Sequence, residues 1–158
     1  MIEPGNLNGL KLKPGLCYKC YDGGIQSAAL HDSVYAVKEL MEGTAAEISG
    51  SYAEKPIGYS LIFEGYIKIP RDGKYHFTLE SADGSMMYLE DKLLISNDEP
   101  HEKKGVKRTA VLKEGYYACR ILYTSFRNKG YLKLFREGRG LAFGEMETEY
   151  LWHEVQKL

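Results

Sequence analysis

Between Tyr59 and Asn97 the chain alternates apolar and polar residues so regularly that strands are the economical reading. Leu61, Phe63, Ile67 and Ile69 share one parity, while Glu64, Tyr66 and Lys68 share the other. After Pro70-Arg71-Asp72-Gly73 the alternation resumes, with Tyr75, Phe77 and Leu79 set against Lys74, His76, Thr78 and Glu80. A side-chain period of two places one set on a buried face and the other toward water. Gly-centred turns separate the runs, and Ala82-Asp83-Gly84 makes an acidic tip between the second and third strands. The expectation is a meander of three or four strands in an antiparallel sheet, with Asp83-Gly84 serving as a hairpin turn.

The flanking sequence extends this all-β pattern. Leu10 to Tyr21 reads as a strand broken at Pro14-Gly15 and ended by Asp22-Gly23-Gly24. Val106–Lys113, Tyr116–Tyr123 and Tyr131–Phe135 read as three more strands. Residues 1 to 9 read as a loose leader, and residues 27 to 42 as one short helical or irregular segment, from the loose spacing of Ala28, Ala29, Val34, Val37 and Leu40. A brief strand is expected from Ala45 to Ile48, and a charged loop from Asp98 to Lys107. The apolar cluster Tyr150-Leu151-Trp152 should tuck the end of the chain against the sheets. Many short strands joined by turns predict an antiparallel β-sandwich in a single domain over residues 10–158. At 158 residues such a domain buries roughly 70% of its unfolded surface.

Charge and motifs narrow the function. The net charge of −1 gives no global field toward nucleic acid or an anionic membrane. The run Lys103-Lys104-Gly105-Val106-Lys107-Arg108 lies beside Glu99 and Glu102 and reads as a solvated face. No segment approaches the roughly 18 consecutive apolar residues of a membrane span. His31, His76, His101 and His153 form no metal-spaced pair. No nucleophile elbow or phosphate-binding Gly loop is present, so the chain reads as a non-enzyme. Cys17 and Cys20 form a C-x-x-C with no second ligand pair, and Cys119 lies on an alternating strand. Buried free thiols, one disulfide, and a metal or redox role all remain open for them. Thirteen tyrosines against five phenylalanines and one tryptophan suit strands, and also amphipathic contact surfaces.

Several of these segments occur in a telling order. Phe63-Glu64-Gly65-Tyr66-Ile67 precedes the Pro70-x-x-Gly73 turn, Tyr75-x-Phe77, Ser81-x-Asp83-Gly84-Ser85 and Leu93-Leu94-Ile95-Ser96-Asn97. Leu112-Lys113-Glu114-Gly115-Tyr116, Ile121-Leu122-Tyr123 and Tyr131-Leu132-Lys133-Leu134 follow. In this order and spacing the chain resembles the PA-fourteen domain family, named for the N-terminal domain of anthrax protective antigen, over roughly residues 10 to 153.

The resemblance implies a non-catalytic, lectin-like carbohydrate-binding accessory module of a larger glycan-active exported protein, extracellular or periplasmic, often beside a glycoside hydrolase domain. Met1-Ile2-Glu3-Pro4 lacks the basic and apolar regions of an export signal, which leaves open a cytosolic protein or a piece cut from a larger exported one, and the resemblance favours the second. The alternative is a structural or protein-interaction domain with no sugar site. The partners implied are a glycan and a catalytic domain of the same parent, with neither nucleic acid nor membrane.

In sugar-binding members two consecutive Asp residues, joined by a cis peptide, hold a calcium ion that also touches the sugar. Here Ala82 replaces the first, leaving Asp83, and Ser125 stands where calcium-dependent members carry Asn. Arg127 and Lys129 add positive charge beside it. No cofactor is therefore expected; Asp83 is the metal ligand if calcium binds at all. The carbohydrate site implied is Asp83, Gly84 and Ser85, with Asn97 and Asp98 nearby and Ser125, Phe126 and Asn128 opposite. Asp83 would accept sugar hydroxyl protons directly, Phe126 or Tyr88 would stack on the ring, and Asn128 would both donate and accept.

Overall fold

The computed structural model describes residues 2–23 and 38–155. Among the described residues twelve strands run in chain order: β1 Leu12–Pro14, β2 Leu16–Asp22, β3 Glu39–Ala45, β4 Tyr59–Ile69, β5 Gly73–Ala82 and β6 Ser85–Leu89, then β7 Lys92–Asn97, β8 Lys104–Leu112, β9 Gly115–Ser125, β10 Tyr131–Gly138, β11 Leu141–Glu145 and β12 Leu151–Glu154. They form two antiparallel layers. The larger sheet has the order β1-β12-β4-β9-β6-β7, with β2 also paired to β4 and β3 to β2. The smaller has the order β11-β10-β5-β8. The fold is an all-β sandwich, as the alternation predicts.

The faces fall as the parity requires. Leu61, Phe63 and Ile67 of β4, Met87 and Leu89 of β6, and Tyr117, Ile121 and Tyr123 of β9 point inward from the larger sheet. Tyr75, Phe77 and Leu79 of β5 meet them with Leu132 and Leu134 of β10. Glu64 stays exposed, with Tyr66 and Lys68 half-buried on the outer side. The larger sheet also buries Tyr21, Ile62, Met86 and Leu122 on its outer face, and Tyr88 packs against them.

The expected meander is corrected. β4 pairs with β2, β9 and β12, whereas β5 pairs with β8 and β10 in the other sheet. The chain crosses between layers at 70–72 and returns at Asp83-Gly84, so Asp83-Gly84 is a sheet-to-sheet crossover and not a hairpin. Both layers bury one face, so alternation reads the same whether successive strands pair or oppose each other. The hairpin in this stretch joins β6 to β7 through Glu90 and Asp91, both at positive φ, 48° and 62°. That is the geometry of a tight two-residue connection.

Other boundaries shift for stated reasons. Residues 27–37 of the expected helical or irregular segment lie outside the described residues, but from Glu39 onward the chain is strand β3. Its side chains are mostly exposed, so it carries no period-two apolar signal. The brief strand expected over Ala45–Ile48 is corrected, since β3 ends at Ala45 and residues 46–48 are bend and coil, and β8 begins at Lys104, inside the expected charged loop. The expected leader lies along the β8–β9 turn, with Ile2 bridging Leu112 and Gly5 donating its N–H to the Tyr116 carbonyl at 3.0 Å. At the other end a 3-10 turn, Thr148–Tyr150, leads into β12, which pairs antiparallel with β1, Leu12 opposite Glu154.

All three cysteines are free. Three residues along a strand reverse the face, so Cys17 is exposed and Cys20 buried, and the C-x-x-C points its sulfurs apart. Burial pushes the Cys20 thiol up to about 11 and that of Cys119 to about 12. Among the described residues no helix is long and apolar enough to cross a membrane.

Candidate functional site

One end of the sandwich gathers the residues that the sequence singles out. The β5–β6 crossover brings Asp83, Gly84 and Ser85; the loop after β7 brings Asp98 and His101; the β9–β10 loop brings Ser125 to Asn128. These segments are tied together by their own polar groups. Asp83 sits at φ 68° and is 0% exposed. Its Oδ2 accepts the backbone N–H groups of Phe126, Arg127 and Asn128 at 2.9, 2.9 and 2.7 Å. Its Oδ1 accepts the Asn128 side-chain amide at 3.0 Å. Three successive N–H groups converging on one oxygen make a small anion-binding nest, filled here by the protein's own carboxylate. Burial works to raise the pKa of Asp83, but the N–H groups of Asn128, Phe126 and Arg127 outweigh it and hold the carboxyl below its ordinary value.

The neighbouring contacts extend this clasp. The Asp83 N–H donates to the His101 carbonyl at 2.8 Å, and the Asn128 side-chain amide donates to the same oxygen at 3.0 Å. Thr124 donates its N–H to the Gly84 carbonyl at 2.9 Å. A Cβ at Gly84 would come within 2.6 Å of Asp98 Oδ1, so any larger residue there would push that carboxylate aside. Ser81 and Ser85 straddle the crossover with their hydroxyls 2.7 Å apart, and Ser81 also donates to the Asp83 carbonyl at 2.8 Å. Asn97, buried, donates through Nδ2 to the carbonyls of Leu79 at 3.2 Å and Lys104 at 2.8 Å. Ser125 donates to the Asn128 carbonyl at 2.8 Å, which closes its own loop.

The eight expected residues therefore converge, but they divide into two kinds. Asp83, Gly84, Ser85, Asn97 and Ser125 are buried and hold the loops. Asp98 and Asn128 are half-buried and Phe126 is 39% exposed, so these three form the rim. The direct hydroxyl contact expected of Asp83 is not what its surroundings offer, because both of its oxygens already accept N–H groups. Tyr88 lies elsewhere, on the outer face of the larger sheet. Ser81, the first residue of the Ser81-x-Asp83-Gly84-Ser85 motif, joins the clasp through its hydroxyl. His101 joins it through its backbone carbonyl, an oxygen that no side-chain pattern reports.

The same geometry tests the metal that the resemblance implies. Calcium takes six to eight oxygen ligands. Here Ala82 presents a methyl group, the Asp83 oxygens face four N–H donors, and the Ser125 hydroxyl donates to a carbonyl. Asn97 Oδ1 is buried without a hydrogen-bond partner among the described residues, and one amide oxygen falls far short of a shell. Among the described residues no three His, Cys, Asp or Glu side chains are placed to hold an ion, and no peptide bond is cis. The donor set does not fit calcium.

Comparison with known proteins agrees with the geometry of the sandwich. The PA14 domain of an antifreeze protein superposes with a TM-score of 0.77 at 14% identity, over 94% of this chain and 95% of that one. A PA14 sugar-binding domain from an RTX adhesin gives 0.73 at 12% identity, over 89% and 98%. The A domain of epithelial adhesin 9 from Candida glabrata, solved in complex with Galb1-3GlcNAc, gives 0.70 at 12% identity, over 97% of each chain. At these identities the likeness establishes the fold. No curated protein matches the chain in sequence. The family model of the PA14 domain matches residues 12–135, most of the sandwich, and the chain belongs to the PA14 domain family.

Proposed function

We propose that residues 10–158 form a non-catalytic carbohydrate-binding module that works without calcium, as an accessory to a glycan-active catalytic domain of an extracellular or periplasmic parent protein. The observation that carries this reading is the clasp. The Asp83 carboxylate and the amides of residues 126–128 pin two loops together, and this holds the rim of Phe126, Asp98 and Asn128 in place without an ion. Phe126 offers a flat apolar edge, while the Asp98 carboxylate and the Asn128 side-chain oxygen supply acceptors for sugar hydroxyls, the Asn128 N–H groups being held by Asp83 and the His101 carbonyl. Similarity in fold to a sugar-binding adhesin domain and to an adhesin solved with a disaccharide supports the ligand class.

A screen of the chain, displayed multivalently on a glycan array, tests it. The expected result is a reproducible glycan whose binding falls roughly fivefold in Phe126→Ala, the scale of one lost aromatic contact. Binding that survives both Phe126→Ala and Asp98→Ala would remove the loop tip as the site. Calcium should leave the melting temperature unchanged; a rise of several degrees, reversed by chelator, would refute independence from the ion.

A second reading rests on the same clasp seen from the other side. Five of the eight gathered residues are buried, and the side chains of Asp83, Ser85, Asn97 and Ser125 bond to other groups of the protein, as a purely structural tip would have them. A structural or protein-interaction domain is then what a clean negative on the array would support.

A further inference from the structure

The outer face of the larger sheet carries a groove of about 440 Å³ that none of the loop residues line. Strand register builds it. Tyr66 of β4 stands opposite Ala118 of β9, and Glu64 stands opposite Arg120, which in turn stands opposite Tyr88 of β6. These positions carry the outward parity, since Phe63, Ile67, Cys119 and Ile121 between them are buried in the core. Ala118 is the small residue of the array and makes its depression. Tyr66 and Tyr88 stand on either side, roughly 12 Å apart by strand spacing. Glu64 and Arg120 share the row of Tyr88, next to the row of Tyr66 and Ala118, and His153 of β12 lines one end, its Nδ1 donating to the Gly15 carbonyl at 2.9 Å.

We propose that this groove is a second ligand site, for a short neutral oligosaccharide. Its volume falls within the roughly 300–1,000 Å³ of small-molecule sites. Two half-buried tyrosine rings supply apolar surface for the C–H faces of sugar rings. Their hydroxyls, with a carboxylate, a guanidinium and an imidazole, interleave donors and acceptors as a polyol requires. The charged side chains nearly balance, Glu64, Asp91 and Glu154 against Lys19 and Arg120, which disfavours both polyanions and polycations. Lys19, Glu64 and Arg120 interrupt the apolar lining of Ile62, Tyr66, Tyr88 and Ala118, and an amphipathic helix laid there would have to desolvate these charges, which disfavours it. Arg120 is six residues from Phe126, about 20 Å along the strand direction, so the groove does not rest on the loop-tip reading.

The ¹⁵N-labelled full chain, titrated with xylotriose, cellotriose and maltotriose into the millimolar range, tests the proposal. Amide shift changes at 64–66, 88 and 118–120 with at least one sugar are expected. Tyr88→Ala should weaken that binding roughly fivefold, the scale of a lost aromatic contact. Because Tyr88 also packs on its neighbours, the exposed Glu64→Gln is the second variant, with a comparable loss and an unchanged melting temperature. Lys107→Ala, on the far sheet, should leave the shifts as they are. Shifts confined to 83–85 and 125–128 would overturn the groove and leave the loop tip standing; shifts at the groove alone would do the reverse. No groove shift with any of the sugars, or groove shifts produced by a tripeptide and by no sugar, would also overturn it.

Discussion

At the scale of the residue, Asp83 is the side chain with most depending on it. Replacing it with Asn keeps the shape but supplies an amide N–H where an acceptor is needed, which leaves buried backbone N–H groups without their charged partner. A loss of about 2–3 kcal/mol is expected for Asp83→Asn, read as a lower denaturant midpoint at neutral pH. The effect must depend on pH in a defined direction. The folded pKa lies below the ordinary 3.8 of an unfolded Asp. Acid therefore protonates the unfolded chain first, and proton binding favours unfolding. The stability supplied by the clasp is complete above the unfolded value and is lost as pH falls through the depressed folded one. The gap between wild type and Asp83→Asn should thus be widest near neutrality and close in strong acid. A gap that held constant into acid would mean the carboxylate is not what the loops depend on. The sequence displayed Asp83 as the family's remaining acidic position, with Asn128 opposite, but not the three N–H groups on its Oδ2, because those are backbone amides that no side-chain pattern reports.

At the scale of the element, β9 binds the two layers. Its Tyr123 hydroxyl donates to the Ala82 carbonyl at 2.9 Å and accepts the Tyr131 N–H at 3.0 Å, joining the larger sheet to β5 and β10 of the smaller. Burial pushes its pKa up to about 12, so the hydroxyl keeps the proton that it donates. Tyr123→Phe should cost about 1–2 kcal/mol, measured by thermal or chemical denaturation. It should also raise hydrogen exchange at Tyr131 while leaving β1 and β12 protected; uniform loss of protection would contradict a local link. Strands such as β4, β5 and β9 were legible because each buries one complete face. β3 and β11 were not, because edge strands exposed on most of their length leave no alternation to read. Phe143 of β11 is 58% exposed, stacked on Phe135 rather than buried in the core.

At the scale of the whole molecule, the architecture followed from the sequence and the wiring did not. Leu61 and Tyr75 both read as inward-facing, and both are, but from opposite sheets. A one-dimensional pattern records whether a side chain is buried, not which layer buries it. The burial of the tip's polar members was hidden for a related reason: Ser81, Ser85 and Asn97 look like surface residues until their mutual hydrogen bonds permit burial. The pairing of β1 with β12 leads to a different kind of experiment. Val155 donates its N–H to the Lys11 carbonyl at 2.9 Å, so the first and last strands run side by side, about 5 Å apart. A circular permutant that joins 155 to 11 by a short linker and opens the exposed turn at Arg139-Gly140 should fold and melt within a few degrees of the parent. Failure to fold would show that the β10–β11 hairpin must be continuous. Entry and exit at one seam also let this fold be spliced into a loop of a host protein without prising that loop's ends apart, so evolution or an engineer can plug it in mid-chain like a cartridge.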